Sequence, residues 1–204
     1  MYTIGATGGM GAGKSEVLNY LKESRGAGLL PLDDVTRKMT EPGGVGFSFY
    51  VHEFGRGILL TNGTLDKTAI AARLFEDPAE KEKIDAFFRP MVQKAVKKAQ
   101  NASKNAGKKL FVIESAILLE EHYDAFCDEL WYIYADEATR RGRLKAARGY
   151  SDERIDRTFQ RQLPDREFRA RCDFVVDNSG SFEATKRAID VRLDEILGEG
   201  VSRS

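Results

Sequence analysis

Gly8-Gly9-Met10-Gly11-Ala12-Gly13-Lys14-Ser15 is the stretch of this chain that decides its fold. It spells G-x-x-x-x-G-K-S and follows directly on Tyr2-Thr3-Ile4-Gly5-Ala6-Thr7, whose length and β-branched content suit a buried strand. After it, Glu16-Val17-Leu18-Asn19-Tyr20-Leu21-Lys22 puts Val17, Leu18 and Leu21 on one face of a helix. Strand, glycine-rich loop and helix in that order form the setting in which the motif has physical meaning. Glycines let backbone N–H groups turn inward around phosphate oxygens, and the helix N-terminus adds its partial positive charge. Gly9, Met10, Gly11, Ala12, Gly13, Lys14, Ser15 and Glu16 are therefore expected to cradle the phosphates of a nucleoside triphosphate. Lys14 would reach the β/γ-phosphates, and the Ser15 hydroxyl would ligate Mg²⁺. The competing reading is a glycine-rich turn before an ordinary helix.

Around this loop the chain reads as an α/β protein. Its 204 residues suffice for one full core with room for an insertion, and 42% hydrophobic with 31% charged residues is ordinary for a soluble enzyme. Lys and Arg total 32, as do Asp and Glu, so no global field favours nucleic acid or an anionic membrane. No basic segment leads into an apolar run at the N-terminus, and no stretch approaches ~18 apolar residues, so a cytoplasmic location is expected. Cys127 and Cys172 share no metal-ligand spacing with His52 or His122 and read as small buried hydrophobes in a reduced compartment.

Strand-like segments recur at 2–7, 28–32, 110–113, 130–135 and 174–177, with helical patterns between most of them. This alternation predicts a three-layer α/β/α fold of the P-loop kinase kind around a central parallel five-stranded sheet. The expected division is a single domain over 1–204, with a core of 1–40, 108–145 and 172–204. A mostly helical insertion at 41–107 would hold a phosphoryl acceptor, and an arginine-rich lid would span 146–171. Within the insertion, Asp77-Pro78-Ala79-Glu80 reads as a helix start, with Asp77 as cap and Glu80 reaching back. Ile84, Phe87, Phe88, Met91, Val92, Ala95 and Val96 then recur at helical spacing, and Pro90 predicts a break near Arg89. Lys94, Lys97, Lys98, Lys104, Lys108 and Lys109 read as a solvated face.

Ten arginines fall within 140–171, interleaved with acidic residues. Most read as a solvated helix face laced with i,i+4 pairs. One or two on a lid would neutralise charge on a transferred phosphoryl group. No N-K-x-D segment reads guanine, which argues against a GTPase. A small-molecule kinase fits the loop, the insertion and the arginines, and it requires a carboxylate near the acceptor hydroxyl. Asp33 and Asp34 end the second strand, and if that strand lies beside the first, one of them faces the γ-phosphate. The bland reading is that both cap the helix at 35–39.

Taken together, these segments resemble the dephospho-CoA kinases. Thr7 through Ser15 is similar to that family's T-G-G-I-G-S-G-K-S. Asp33, Arg37 and Glu41-Pro42-Gly43 resemble its D-x-x-x-R…E-P-G. Asn62-Gly63-Thr64-Leu65-Asp66-Lys67 and Phe75-Glu76-Asp77-Pro78 resemble its G-x-L-D-R and F-x-D-P. Ile117-Leu118-Leu119-Glu120 resembles P-L-L-F-E, and Gln162 with Asp173 through Gly180 resembles its closing Q…A-D-x-V-I-D-N-x-G. Pro31, Arg89, Ala116 and Glu16 stand where the family has Asp, His, Pro and Thr.

The resemblance implies transfer of the ATP γ-phosphoryl group to the ribose 3′-hydroxyl of dephospho-CoA, the last step of coenzyme A synthesis. Catalysis would fall to Lys14 and Asp33, with Arg143 or Arg148 closing over the transferred group. Asp33, Arg37, Arg89 and Glu120 would contact the acceptor, and Glu114 could hold a Mg²⁺-bound water. Two other readings stay open. One is a kinase for a nucleoside, nucleotide or shikimate-like acceptor; the other is a nucleotide-binding regulatory protein without transfer.

Overall fold

The structure, a computed structural model, describes residues 1–198. The last stretch of the expected core, 199–204, lies outside the described residues. β1 (Tyr2–Thr7) is buried along nearly its whole length and pairs on both edges. Ile4 lies opposite Val112 of β3 (Leu110–Glu114), and Ala6 lies opposite Trp131 of β4 (Glu129–Tyr134). With β2 (Gly28–Pro31) and β5 (Phe174–Asp177) the sheet runs β2-β3-β1-β4-β5, parallel as the βαβ alternation predicts.

The second strand does not lie beside the first. β3 takes that place because Leu110, Phe111, Val112 and Ile113 are all buried, whereas β2 is half-exposed over most of its length and suits an edge. Nor do Asp33 and Asp34 end a strand. The chain leaves β2 at Pro31 and enters α2 (Leu32–Thr40) at once, so both aspartates ride its first turn, where their charge suits the helix dipole. Neither is the N-cap residue, a position that Pro31 occupies.

The chain divides into two compact units, one built from residues 1–30 with 100 onward, the other from Pro31–Ala99. In the first, Val17, Leu18 and Leu21 of α1 (Lys14–Arg25) and Ile189 and Leu193 of α9 (Phe182–Leu197) cover one sheet face. They share a core with Ile4, Ala6, Val112, Trp131, Ile133 and Val176. Each Val, Leu or Ile side chain among them contributes about 1.5–3 kcal/mol when fully buried. On the opposite face Phe168 of α8 (Asp165–Arg171) stacks on Tyr132 at 4.6 Å, and Leu118 packs against Gly5. Cys127 and Cys172 are free and half-buried, with thiols pushed up to about 12 by burial, so they behave as apolar fillers.

The second unit is helical, with α2, α3 (Val45–Phe54), α4 (Lys67–Glu76) and the Pro78–Ala99 part of α5 (Pro78–Asn105). Its core gathers Phe54, Ile58, Leu65, Ile70, Ile84 and Phe88, and Phe49 stacks on Phe87 at 3.8 Å. Asp77 opens α5 as expected, accepting from the Ala79 N–H at 2.9 Å. Glu80 does not reach back; it pairs with Lys83 at 2.9 Å instead.

α5 also runs unbroken through Pro90. The proline removes a donor to Ala86, but Ile84, Phe88, Val92 and Val96 are buried on both sides of it. Their burial outweighs one lost bond, and Pro90 itself is exposed. Pro90→Ala restores that donor and relieves the ring clash. It should stabilise the protein by about 1–3 kcal/mol, read as a higher urea midpoint at unchanged slope.

Candidate functional site

The loop between β1 and α1 owes its shape to missing side chains. At Gly8 (φ 149°) a Cβ would stand 2.2 Å from the Ile133 carbonyl oxygen, which belongs to β4 backbone and cannot yield. Gly13 (φ 88°) is the N-cap of α1, and no side chain among the described residues caps that helix end. The N-terminal end of α1 carries the partial positive charge of the helix dipole, which favours an anion there.

Lys14 lies over the loop, donating from Nζ to the Gly8 carbonyl at 2.8 Å, with Glu114 Oε1 3.8 Å away at the end of β3. Ser15 and Glu16 are exposed in the first turn of α1.

α6 (Glu137–Arg148) supplies two arginines to the loop. Asp136 caps it, accepting from the Thr139 N–H at 2.8 Å, and that bond holds its carboxyl below the usual carboxylate range. Arg140 donates from Nε to the Met10 carbonyl at 2.9 Å, also bonds Gln162, and stacks over Phe159 at 4.1 Å. Burial pulls its guanidinium below the usual arginine value. Arg143 donates to the carbonyls of Ala12 at 3.3 Å and Asn178 at 2.9 Å. Arg148, at the end of α6, is exposed and lies by Tyr150, whose hydroxyl it pulls below its ordinary value by hydrogen bonding.

A cavity of about 710 Å³ opens beside Gly8, Gly9 and Met10. Ala116, Ile117 and Glu120, from the segment after β3, form one wall. Arg154, Arg157 and Thr158 of α7 (Asp152–Gln160) and Arg161, Gln162 and Leu163 after it form another. Glu120 thus lines the same cavity as Gly8, Gly9 and Met10. The structure lines the cavity with Arg154, Arg157 and Arg161 rather than with Arg143 or Arg148. Their spacing of three and four residues puts them on one helix face, a signal already present in the sequence. Arg141, by contrast, is spent on Glu137, Asp152 and Asp156, and Arg169 on Asp165, as a solvated face requires.

In the second unit, Asp33 and Arg37 line one cavity of about 410 Å³ with Lys67, Tyr50, Leu65 and Ile70. Arg37 also bridges Asp34 at 2.8 Å and Glu41 at 3.0 Å. Arg89 does not join them; it lines a separate hollow of about 330 Å³ with Pro78 and Asp85. Lys67, part of the Asn62–Lys67 motif, borders the Asp33 cavity.

The sequence model of dephospho-CoA kinases matches residues 2–184. The chain belongs to the dephospho-CoA kinase family. A dephospho-CoA kinase of Anaeromyxobacter dehalogenans is 32% identical over 198 residues, covering 97% of this chain and 93% of its own. A solved structure from Thermus thermophilus superposes with a TM-score of 0.76 at 27% identity, covering 95% of this chain and 97% of its own. A shikimate kinase of Bacteroides thetaiotaomicron, at 12% identity and a TM-score of 0.54, covers 97% of this chain and 98% of its own; it shares the fold.

Membership of the dephospho-CoA kinase family makes the chain an ATP-dependent transferase with an alcohol acceptor. Lys14→Ala removes a charged donor from the loop and should weaken ATP binding by more than about tenfold in calorimetry.

Proposed function

We propose that the chain transfers the γ-phosphoryl group of ATP to the ribose 3′-hydroxyl of dephospho-CoA, giving coenzyme A and ADP. What carries this reading is the family membership together with the open, arginine-walled cavity bordering Gly8, Gly9 and Met10 beside Lys14. The cavity provides room for an acceptor next to a loop suited to the donor's phosphates.

On this reading the protein supplies position and charge. Amides of the loop from Gly9 to Glu16, together with Lys14, hold the β/γ-phosphates. The lid spans 146–171, and its Arg154, Arg157 and Arg161 offset charge on the transferred group. Arg143 fixes the loop rather than following the phosphoryl group, and Arg148 borders the hinge of the lid. Asp33 takes the proton of the 3′-hydroxyl as its oxygen bonds phosphorus and ADP leaves. Asp33, Arg37 and Glu120 are assigned to the acceptor, as is Arg89, within an insertion spanning 41–107.

The residues present fit Mg²⁺. The Ser15 hydroxyl would hold it directly and Glu114 through water, the remaining ligands being phosphate oxygens and solvent. Such an ion neutralises charge between the β- and γ-phosphates. Among the described residues no helix is long and apolar enough to cross a membrane, and a cytoplasmic location accords with this role.

Two measurements test the reading. ADP release with ATP and Mg²⁺, assayed over dephospho-CoA, nucleosides, nucleotides and shikimate, should favour dephospho-CoA. Preference for another acceptor, or ATP binding without turnover on any, would overturn it. Asp33→Asn should lower kcat by about 10²–10⁴-fold with folding intact, and a fall under about threefold would remove Asp33 from proton transfer.

A further inference from the structure

The sequence reading used Asp177-Asn178-Ser179-Gly180 only as part of a resemblance, but the structure gives Asn178 a specific task. It follows β5, is 0% exposed, and reaches across to the phosphate loop, where its Nδ2 donates to the Ala12 carbonyl at 3.0 Å. We propose that Asn178 is a positioning residue for nucleotide binding, holding the loop in its anion-accepting conformation through that carbonyl. This inference rests on the phosphate-loop reading and is independent of which acceptor the enzyme uses.

The peptide bond supplies the reason. In a planar trans peptide, C=O and the following N–H point in opposite directions. Tying the Ala12 oxygen into the protein therefore turns the Gly13 N–H the other way, at the N-terminal end of α1. Arg143 adds a second donor to the same oxygen at 3.3 Å, and its other nitrogen donates to the Asn178 carbonyl at 2.9 Å. The approach is possible only because residue 13 is glycine. A Cβ there would lie 2.2 Å from Asn178 Nδ2, and the φ of 88° strains any other residue.

The amide's own orientation is also set. Thr185 of α9 places its hydroxyl 3.2 Å from Asn178 Oδ1 and 2.9 Å from the Asp177 carbonyl, sharing its proton between them. Oδ1 is thereby held toward α9 and Nδ2 toward Ala12. The Asn178 N–H donates to the Tyr134 carbonyl at 2.8 Å, continuing the β4–β5 ladder. A buried amide with both its oxygen and its nitrogen bonded specifies one geometry, because a flip would put donor against donor at Thr185 and acceptor against acceptor at Ala12.

The test is ADP binding by calorimetry without acceptor, on Asn178→Leu and Thr185→Val, both uncharged and both keeping the branched heavy-atom outline of the native side chain. Asn178→Leu should raise the ADP Kd by about tenfold or more, the effect of losing one bond to a buried carbonyl. Thr185→Val, which removes the hydroxyl from both Asn178 Oδ1 and the Asp177 carbonyl and so frees the amide to rotate, should raise it by about threefold. In turnover, the KM for ATP should rise while the acceptor KM stays within about twofold. Variants that melt earlier yet bind ADP with wild-type Kd would reduce Asn178 to a structural residue and overturn the inference. Should Asn178→Leu not fold, an unchanged Kd in Thr185→Val overturns it alone. Absence of ADP binding by the wild type would instead sink the phosphate-loop reading, and this inference with it.

Discussion

A close steric approach governs the nucleotide end of this molecule. The loop after β1 passes so near its neighbours that side chains are excluded at several points. A Cβ on Gly8 would meet the Ile133 carbonyl, one on Gly9 would meet Arg140 and Gln162, and one on Gly13 would meet Asn178. Those neighbours come from β4, α6, the segment after α7 and the end of β5. Placing β1 between β3 and β4 brings all of them to its carboxyl end. The central position follows in turn from its burial on both faces, which only a sheet covered by helices on both sides provides.

From that constraint the division of labour among the arginines follows. Arg140 and Arg143 lie under and beside the loop and bond its carbonyls, so their charge is committed to backbone. Arg154, Arg157 and Arg161 stand on a separate segment facing the cavity. The first pair is bonded to the loop; the second set lines the cavity, with Arg157 donating to the Glu153 carbonyl and Arg154 lying over Tyr150. A single run of arginines in sequence thus becomes two groups with different tasks, separated by the turn at Gly149 (φ 60°) where α6 ends.

The loop, all five strands to within two residues, Asp77 as a helix start and the apolar stripe of α5 were legible in the sequence. Each depends on local pattern: alternation, helical spacing, or a capping residue next to proline. What failed had a common cause. The break at Pro90 was judged from one residue's missing donor, whereas the buried side chains flanking it outweigh that loss. The neighbour of β1 was judged from chain order, whereas burial put β3 there.

The sequence by itself determined that a strand, a phosphate loop and a helix begin this chain, and the order of its motifs already pointed to one kinase family. These are properties of short segments, set by backbone sterics and side-chain period. Only the tertiary structure decided what surrounds the loop. Asn178 lies more than 160 positions from Ala12 in the chain, and nothing local links them. Their bond exists because parallel strands place their carboxyl ends side by side, so residues remote in sequence meet where the phosphate loop turns.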